Sequence, residues 1–339
     1  MSTEPTRRSV ITIGNFDGVH IGHRAILRVA RALADELGGK GEGVGARGGV
    51  EVIAMPFDPH PATRLAPERV PPRLTARAER ARLLRAVGAD RVVFLEPDQR
   101  TLGMDAGAFV NDLVEKYRPV GFVEGPDFRF GRARQGDLAL LREMGRAHDF
   151  VVRVAEPVEV ALHDRWGHRA GSSLARWLIG HGRVEDAARV LGRAYSVVST
   201  VVAGDRRGRA IGFPTINLSA DELEGFIIPA DGVYAGEAEI EGEASAYPAA
   251  ISVGVKPTFG GHDLTLEAHL IGLDHEVYDR RVELSFTRWV RDQRAFPGLE
   301  ALVEQLGRDV GRVREWADRG ELSPVAGDAA SLAARLSSP

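Results

Sequence analysis

In Gly14-Asn15-Phe16-Asp17-Gly18-Val19-His20-Ile21-Gly22-His23, two histidines stand three residues apart, just after the apolar run Val10 to Ile13 and where helical spacing begins. Three chemistries compete for them. A cation shared at i and i+3 needs further ligands, and the adjacent Glu of zinc-binding helix motifs is missing. Ordinary surface or packing histidines would not call for the surrounding glycines. A phosphate site uses the whole stretch. Gly14 and Gly18 let the chain turn tightly out of a strand, Gly22 leaves room between the imidazoles, and a helix N-terminus offers free amides and positive potential to an anion. Two imidazoles there can donate hydrogen bonds to phosphate oxygens and stabilise charge on a leaving pyrophosphate. The phosphate reading leads.

A second constellation lies far along the chain, in Gly208-Arg209-Ala210-Ile211-Gly212-Phe213-Pro214-Thr215-Ile216-Asn217-Leu218. The chain has only three asparagines, Asn15, Asn111 and Asn217; Asn111 falls in an amphipathic helix, whereas the other two sit in turns punctuated by Gly and Pro. Thr215 and Asn217 can offer oxygen to a Mg²⁺ ion carried by a nucleotide, or the stretch is simply a turn entering a strand. From Leu264 to Leu270, Thr265, Glu267 and His269 alternate with apolar residues and share one strand face. A carboxylate fixed on a strand, Glu267, can accept the proton of an attacking hydroxyl or can merely be solvated. Lys256, one of three lysines among 44 Lys and Arg residues, can bind phosphate or face solvent.

Composition narrows the field. With 339 residues, 44% apolar and 27% charged, the chain can build two cores. It has no cysteine, which removes disulfides, thiolate nucleophiles and Cys-based metal sites. A formal net charge of -4 is unlike the basic surface of a nucleic-acid binder, so a small-molecule substrate is expected and no nucleic-acid partner. No apolar run reaches the roughly 20 residues that span a bilayer. Residues 1–8 lead straight into a strand, so the expected location is the cytoplasm, with no membrane partner.

The elements that must position these residues follow from periodicity. Strands are predicted at 10–13, 50–55, 91–95, 120–124 and 150–154, with helices at 24–37, 75–87, 105–117 and 137–147 between them. That alternation predicts an α/β parallel sheet of Rossmann type, whose ligand lies at the carboxyl ends of the strands. Segment 39–49 reads as a Gly-rich surface excursion and 171–191 as a helical connection. Strands at 195–203, 232–239, 246–253, 264–271 and 281–287 predict a small antiparallel β-barrel, followed by a helix at 298–317. The expected division is 1–184, 185–318 and a flexible tail at 319–339.

The histidine stretch resembles the HxGH signature of nucleotidylyltransferases in the form found in bacterial bifunctional riboflavin kinase/FAD synthetases. Phe57-Asp58-Pro59-His60-Pro61 and Gly125-Pro126-Asp127-Phe128-Arg129-Phe130-Gly131, each after a predicted strand, are similar to that family's stretches. The second half carries a sequence resembling the PTAN motif of riboflavin kinases, with Ile216 in place of Ala. Gly232 to Gly236, Ser252 to Gly261 and Leu266 to Leu270 follow in the family's order. The likeness spans roughly residues 9–317.

The resemblance implies two activities. In the first half, Gly14, Asn15, Phe16, Asp17, His20, Gly22 and His23 would hold ATP phosphates together with Ser172, Ser173 and Arg176, and FMN would meet Asp58, His60, Asp127, Phe128 and Arg129. His20 and His23 would act in adenylyl transfer. In the second half, Gly208, Gly212, Pro214, Thr215, Asn217 and Lys256 would bind nucleotide and flavin, with Glu267 the catalytic base and Thr215 and Asn217 on Mg²⁺. The expected substrates are riboflavin, FMN and ATP. The family's Ser-Ser-Thr-Arg-x-Arg-like segment reads here Gly171-Ser172-Ser173-Leu174-Ala175-Arg176, with Arg165 and Arg169 upstream as substitute cations. Leu174 at the first arginine position supports one alternative, a riboflavin kinase with a silent first half; a second, a flavin- or nucleotide-binding regulator without turnover, has Glu267, Thr215 and His23 against it.

Overall fold

The computed structural model describes residues 7–39, 49–164, 166–204, 207–258 and 261–322. Most of the excursion expected at 39–49, most of the tail expected at 319–339, and Arg165 lie outside the described residues. The chain divides into two compact units, Met1–Glu159 with His168–Gly171, and Val160–Gly167 with Ser172–Pro339.

The first unit is a parallel sheet of β1 (Ser9–Gly14), β2 (Glu51–Pro56), β3 (Arg91–Val92), β4 (Pro119–Glu124) and β5 (Val151–Val154), in the order β3-β2-β1-β4-β5. Its helices are α1 (Ile21–Gly38), the short α2 (Ala62–Leu65), α3 (Arg77–Ala86), the short α4 (Gln99–Gly103), α5 (Ala106–Tyr117) and α6 (Leu138–His148). The strands are apolar on both faces because both are covered. Val10, Val52 and Ala54 pack with Leu27, Ala30 and Leu33 of α1 and Leu83 and Leu84 of α3. Ile11, Ile53 and Phe122 pack on the other face with Phe109, Val110 and Leu113 of α5 and Leu141 of α6. Edge strand β3 is shorter than the predicted 91–95. Beyond Val92, single backbone bonds carry the chain along β2, from Val93 N to Ala54 O and from Leu95 N to Pro56 O.

A separate two-stranded sheet joins β6 (Glu159–Ala161) and β7 (Gly167–Arg169). The helical connection expected at 171–191 is two helices, α7 (Ser172–Gly180) and α8 (Val184–Leu191). Gly182, with φ +72°, turns the chain between them, a conformation an uninterrupted helix does not contain.

The second unit closes a barrel in the order β10-β11-β12-β9-β8-β13. Its elements are β8 (Tyr195–Val202), α9 (Arg207–Ala210), β9 (Ile216–Leu218), β10 (Gly232–Ile240), β11 (Tyr247–Thr258), β12 (Gly261–Leu270), β13 (Arg281–Arg291) and α10 (Leu299–Asp318). Tyr195, Tyr234 and Phe286 are among its fully buried side chains. In β12, Leu266, Ala268 and Leu270 are buried while Thr265, Glu267 and His269 are half-buried, as the alternation requires. α10 lies against β11.

Candidate functional site

In the first unit β1 and β4 part company at their carboxyl ends. Ile11 still pairs with Phe122, but the amide of Ile13 donates to Glu124 Oε1 at 2.9 Å. Sheet order reverses between these two strands, which makes the gap the switch point where open α/β sheets bind ligands. Glu124 is buried, and desolvation pushes its carboxyl well above the usual carboxylate range.

From Gly14 the chain turns sharply into α1. Phe16, Gly18 and Val19 have φ of +49°, +82° and +41°, conformations that need external support in non-glycine residues. Asp17 supplies it. Its buried carboxylate accepts from Leu74 N, Thr75 N and Thr75 Oγ1, each at 3.0 Å, while Gly18 N donates to Thr75 Oγ1 at 3.2 Å. Asp17 and Phe16, expected against the phosphates, both shape this turn. Phe16 is 1% exposed within the core and sets its ring edge on His23, 5.0 Å between centroids.

His20 caps α1, its Nδ1 accepting from the amide of His23 at 3.4 Å. The two imidazoles stack 3.6 Å apart with 23° between their planes. A Cβ on Gly22 would sit 3.0 Å from the His20 ring, so any larger residue would press on this stack. Burial first, then the neighbouring His20 and Arg80, holds the His23 pKa well below the ordinary imidazole value, and its Nδ1 is buried with no hydrogen-bond partner. A vacant nitrogen beside a helix N-terminus matches the chemistry of a phosphate oxygen.

Arg80, which sequence reasoning missed, ties this turn to the loop after β2. Its guanidinium donates to Asn15 O at 3.3 Å and Phe57 O at 3.0 Å and pairs with Asp58 at 3.3 Å. Arg77 reaches the other oxygen of Asp58 at 3.2 Å. The available signal was a charged residue on the apolar stripe of α3, four residues before Leu84. Asn15 and His60, singled out separately, meet at 3.0 Å. The contact joins Asn15 Nδ2 and His60 Nε2, and His60 Nδ1 accepts from Ala62 N at 3.1 Å.

After β4, Asp127 forms an ion pair with Arg169 at 2.6 Å, and Phe128 stacks on Phe130 at 5.4 Å. Arg129 lies 3.9 Å from Asp137. Arg169, considered as a substitute phosphate ligand, is thus matched to a carboxylate. Ser172, Ser173 and Arg176 belong to α7 of the second unit, where Ala175, Leu178 and Ile179 form the buried face.

In the second unit the Gly208 to Asn217 stretch folds back on itself. Phe213 N donates to Gly208 O at 2.9 Å, Gly212 has φ +83°, and a Cβ on Gly208 would sit 2.2 Å from the Phe213 carbonyl oxygen. β9 then places Asn217 opposite Glu267 and Ile216 opposite Ala268. Thr215 Oγ1 donates to Glu267 Oε2 at 3.4 Å, and the Pro214 carbonyl faces His269 Nδ1 at 2.7 Å. Lys256 is on β11, its side chain outside the described residues.

Phe213, Thr215, Glu267, His269, Arg291 and Phe296 help line a cavity of about 300 Å³. On its α10 side Arg291 pairs with Asp309 at 2.8 Å. A larger groove of about 520 Å³ in the same unit is lined by Glu239, Glu241, Glu243, Glu283 and Arg281. Its carboxylates repel polyphosphate, so the smaller cavity suits a nucleotide better.

A Rossmann-type sheet with two stacked histidines at a helix N-terminus, and a barrel with a carboxylate beside a hydroxyl, define the class as a group-transfer protein. Residues 2–164 match the FAD synthetase family and residues 191–317 the riboflavin kinase family. The bifunctional riboflavin kinase/FMN adenylyltransferase of Escherichia coli (strain K12) is 33% identical over 93% of this chain and 95% of its own. Its namesakes from Pseudomonas fluorescens and Bacillus subtilis (strain 168) are 34% and 28% identical, covering 91% and 90% of this chain and 93% and 92% of theirs. The chain belongs to the bifunctional riboflavin kinase/FMN adenylyltransferase family. A crystal structure described as a macrolide-efflux protein from Streptococcus pneumoniae superposes with a TM-score of 0.78 at 28% identity, over 92% of this chain and 95% of that one. Among the described residues no helix is long and apolar enough to cross a membrane.

Proposed function

We propose that this chain makes flavin cofactors in two ATP-dependent steps, phosphorylating riboflavin to FMN in the barrel and adenylylating FMN to FAD in the α/β unit. The observation that carries the reading is the contact of Thr215 with Glu267 in the barrel cavity, a hydroxyl just before β9 and a carboxylate on β12. The match of residues 2–164 to FAD synthetases supports two activities over a kinase with a silent first half.

In the kinase step the primary hydroxyl of riboflavin attacks the γ-phosphorus of ATP, its proton passes to Glu267, and ADP leaves. Thr215 and Asn217 present a hydroxyl and a carboxamide, hard oxygen donors that fit Mg²⁺. When bound with ATP, the ion would neutralise phosphate charge. In the adenylylation step a phosphate oxygen of FMN attacks the α-phosphorus of a second ATP and pyrophosphate departs. The α1 N-terminus and the stacked His20 and His23 stabilise charge on the departing group, while Arg80 fixes the loops of Asn15 and Asp58 around it. Neither step needs a protein nucleophile.

We assign residues 1–184 to adenylyl transfer, because Ser172, Ser173 and Arg176 are the phosphate residues the family resemblance implies. Residues 185–318 are assigned to the kinase. Asp127, Phe128, Arg129 and His60 are assigned to FMN, and Lys256, Gly208, Gly212 and Pro214 to the kinase substrates.

Purified protein incubated with riboflavin, ATP and Mg²⁺ should yield FMN and then FAD, resolved chromatographically. FMN without FAD would reinstate the silent first half, and no conversion would overturn the enzyme reading.

A further inference from the structure

We infer that His269 is a positioning residue of the kinase step: its imidazole holds the Pro214 carbonyl so that Thr215 is kept against Glu267. The inference rests on the kinase reading above.

The ladder between β9 and β12 consists of two pairs, Asn217 with Glu267 and Ile216 with Ala268. Continuing the same antiparallel register would bring Thr215 opposite His269, yet the backbone pairing has ended. Pro214 has no N–H to offer and cannot extend it. A side chain takes over where the ladder stops. His269 Nδ1 lies 2.7 Å from Pro214 O, a distance at which the ring must donate, since a carbonyl only accepts. The bond fixes the peptide immediately before Thr215, whose hydroxyl reaches Glu267 at 3.4 Å.

Thr215 and Pro214 are exposed. The turn behind them is held by the Phe213 to Gly208 bond at 2.9 Å, and the Phe213 ring stands edge-on to His269 at 5.7 Å. His269 thus meets the loop twice, through its ring edge and its N–H. In a neutral ring, donation from Nδ1 leaves Nε2 as an acceptor on a side chain that lines the cavity.

The two amide replacements separate the ring nitrogens. An Asn places its N–H₂ near the Nδ1 position, whereas a Gln places it near Nε2. Kinase kcat and KM for ATP and riboflavin are measured on the full chain for wild type, His269→Asn, His269→Gln and His269→Ala, with conversion of supplied FMN to FAD as a control of integrity. Misplacing a reacting group by about 1 Å costs on the order of 100-fold, so His269→Ala and His269→Gln should lose roughly 10- to 100-fold in kcat with KM for riboflavin changed less than about threefold. His269→Asn should recover to within about threefold of wild type. An unaffected His269→Ala, a His269→Asn as impaired as His269→Ala, or a fall carried wholly by KM would overturn the assignment. Failure of the wild type to form FMN would instead strike the kinase reading itself.

Discussion

The imidazoles of His20 and His23 lie nearly parallel and 3.6 Å apart at the start of α1, close enough that two positive charges there would repel strongly. Burial already holds His23 neutral well below the ordinary imidazole pKa. A polyphosphate placed beside it reverses that balance by favouring the charged form. ATP binding at pH 6 should therefore take up part of a proton, seen as a calorimetric enthalpy that varies with the ionisation enthalpy of the buffer. His23→Gln should remove most of that variation; an unchanged uptake would place the proton elsewhere.

Glu267→Gln should lower FMN formation by roughly 10²- to 10⁴-fold, the usual range for removing a general base, and leave conversion of supplied FMN to FAD within about twofold. The test is chromatography of each half-reaction. Parallel loss of both would contradict two separate centres.

Arg80→Ala removes the cation that joins Asn15, Phe57 and Asp58. Adenylylation should fall by about 100-fold because the two loops lose their common anchor, while the kinase rate is retained. Arg80→Lys, with a point charge in place of a planar fork, should rescue only part of the loss. Full activity in Arg80→Ala would show that the loops keep their places unaided.

Glu124 supplies a stability prediction. Its folded pKa is raised, so the folded unit binds more protons than the unfolded chain once pH exceeds the ordinary value of 4.5. Stability must then fall as pH rises from about 4.5 through the folded pKa, by up to about 1.4 kcal/mol per pH unit for the one proton. Glu124→Gln keeps an acceptor for Ile13 N and cannot ionise. Thermal unfolding of the first unit should depend less on pH above about 4.5 in the variant than in the wild type, and identical profiles would refute the assignment.

The alternation of strand and helix was legible because the central strands β1, β2 and β4 are buried on both faces and the long helices carry an apolar stripe. The second unit was legible through its period of two. Local cooperation between side chains and backbone was less so. α1 starts three residues before the periodicity does, because His20 supplies a cap that apolar spacing cannot reveal. β9 spans three residues, too few to show a period, although Asn217 marked it by scarcity. Arg80 shows in the sequence only as a charge on the apolar stripe of α3, because its partners are mostly backbone carbonyls, which carry no trace of side-chain identity. The motif marks Asp17, and only its hydrogen bonds show that it also braces the turn.

The three residues of β9 close the barrel. They hold β12 by two residue pairs on one side and β8 by two on the other, Val201 with Leu218 and Val202 with Asn217. Asn217 belongs to both junctions. The thinnest seam of the barrel is thus also the strand that faces Glu267, and fraying there would dismantle the site before the rest of the unit unfolds. Any ligand held by Asn217 acts as a rivet across that seam, so occupancy and the integrity of the closed barrel rise and fall together.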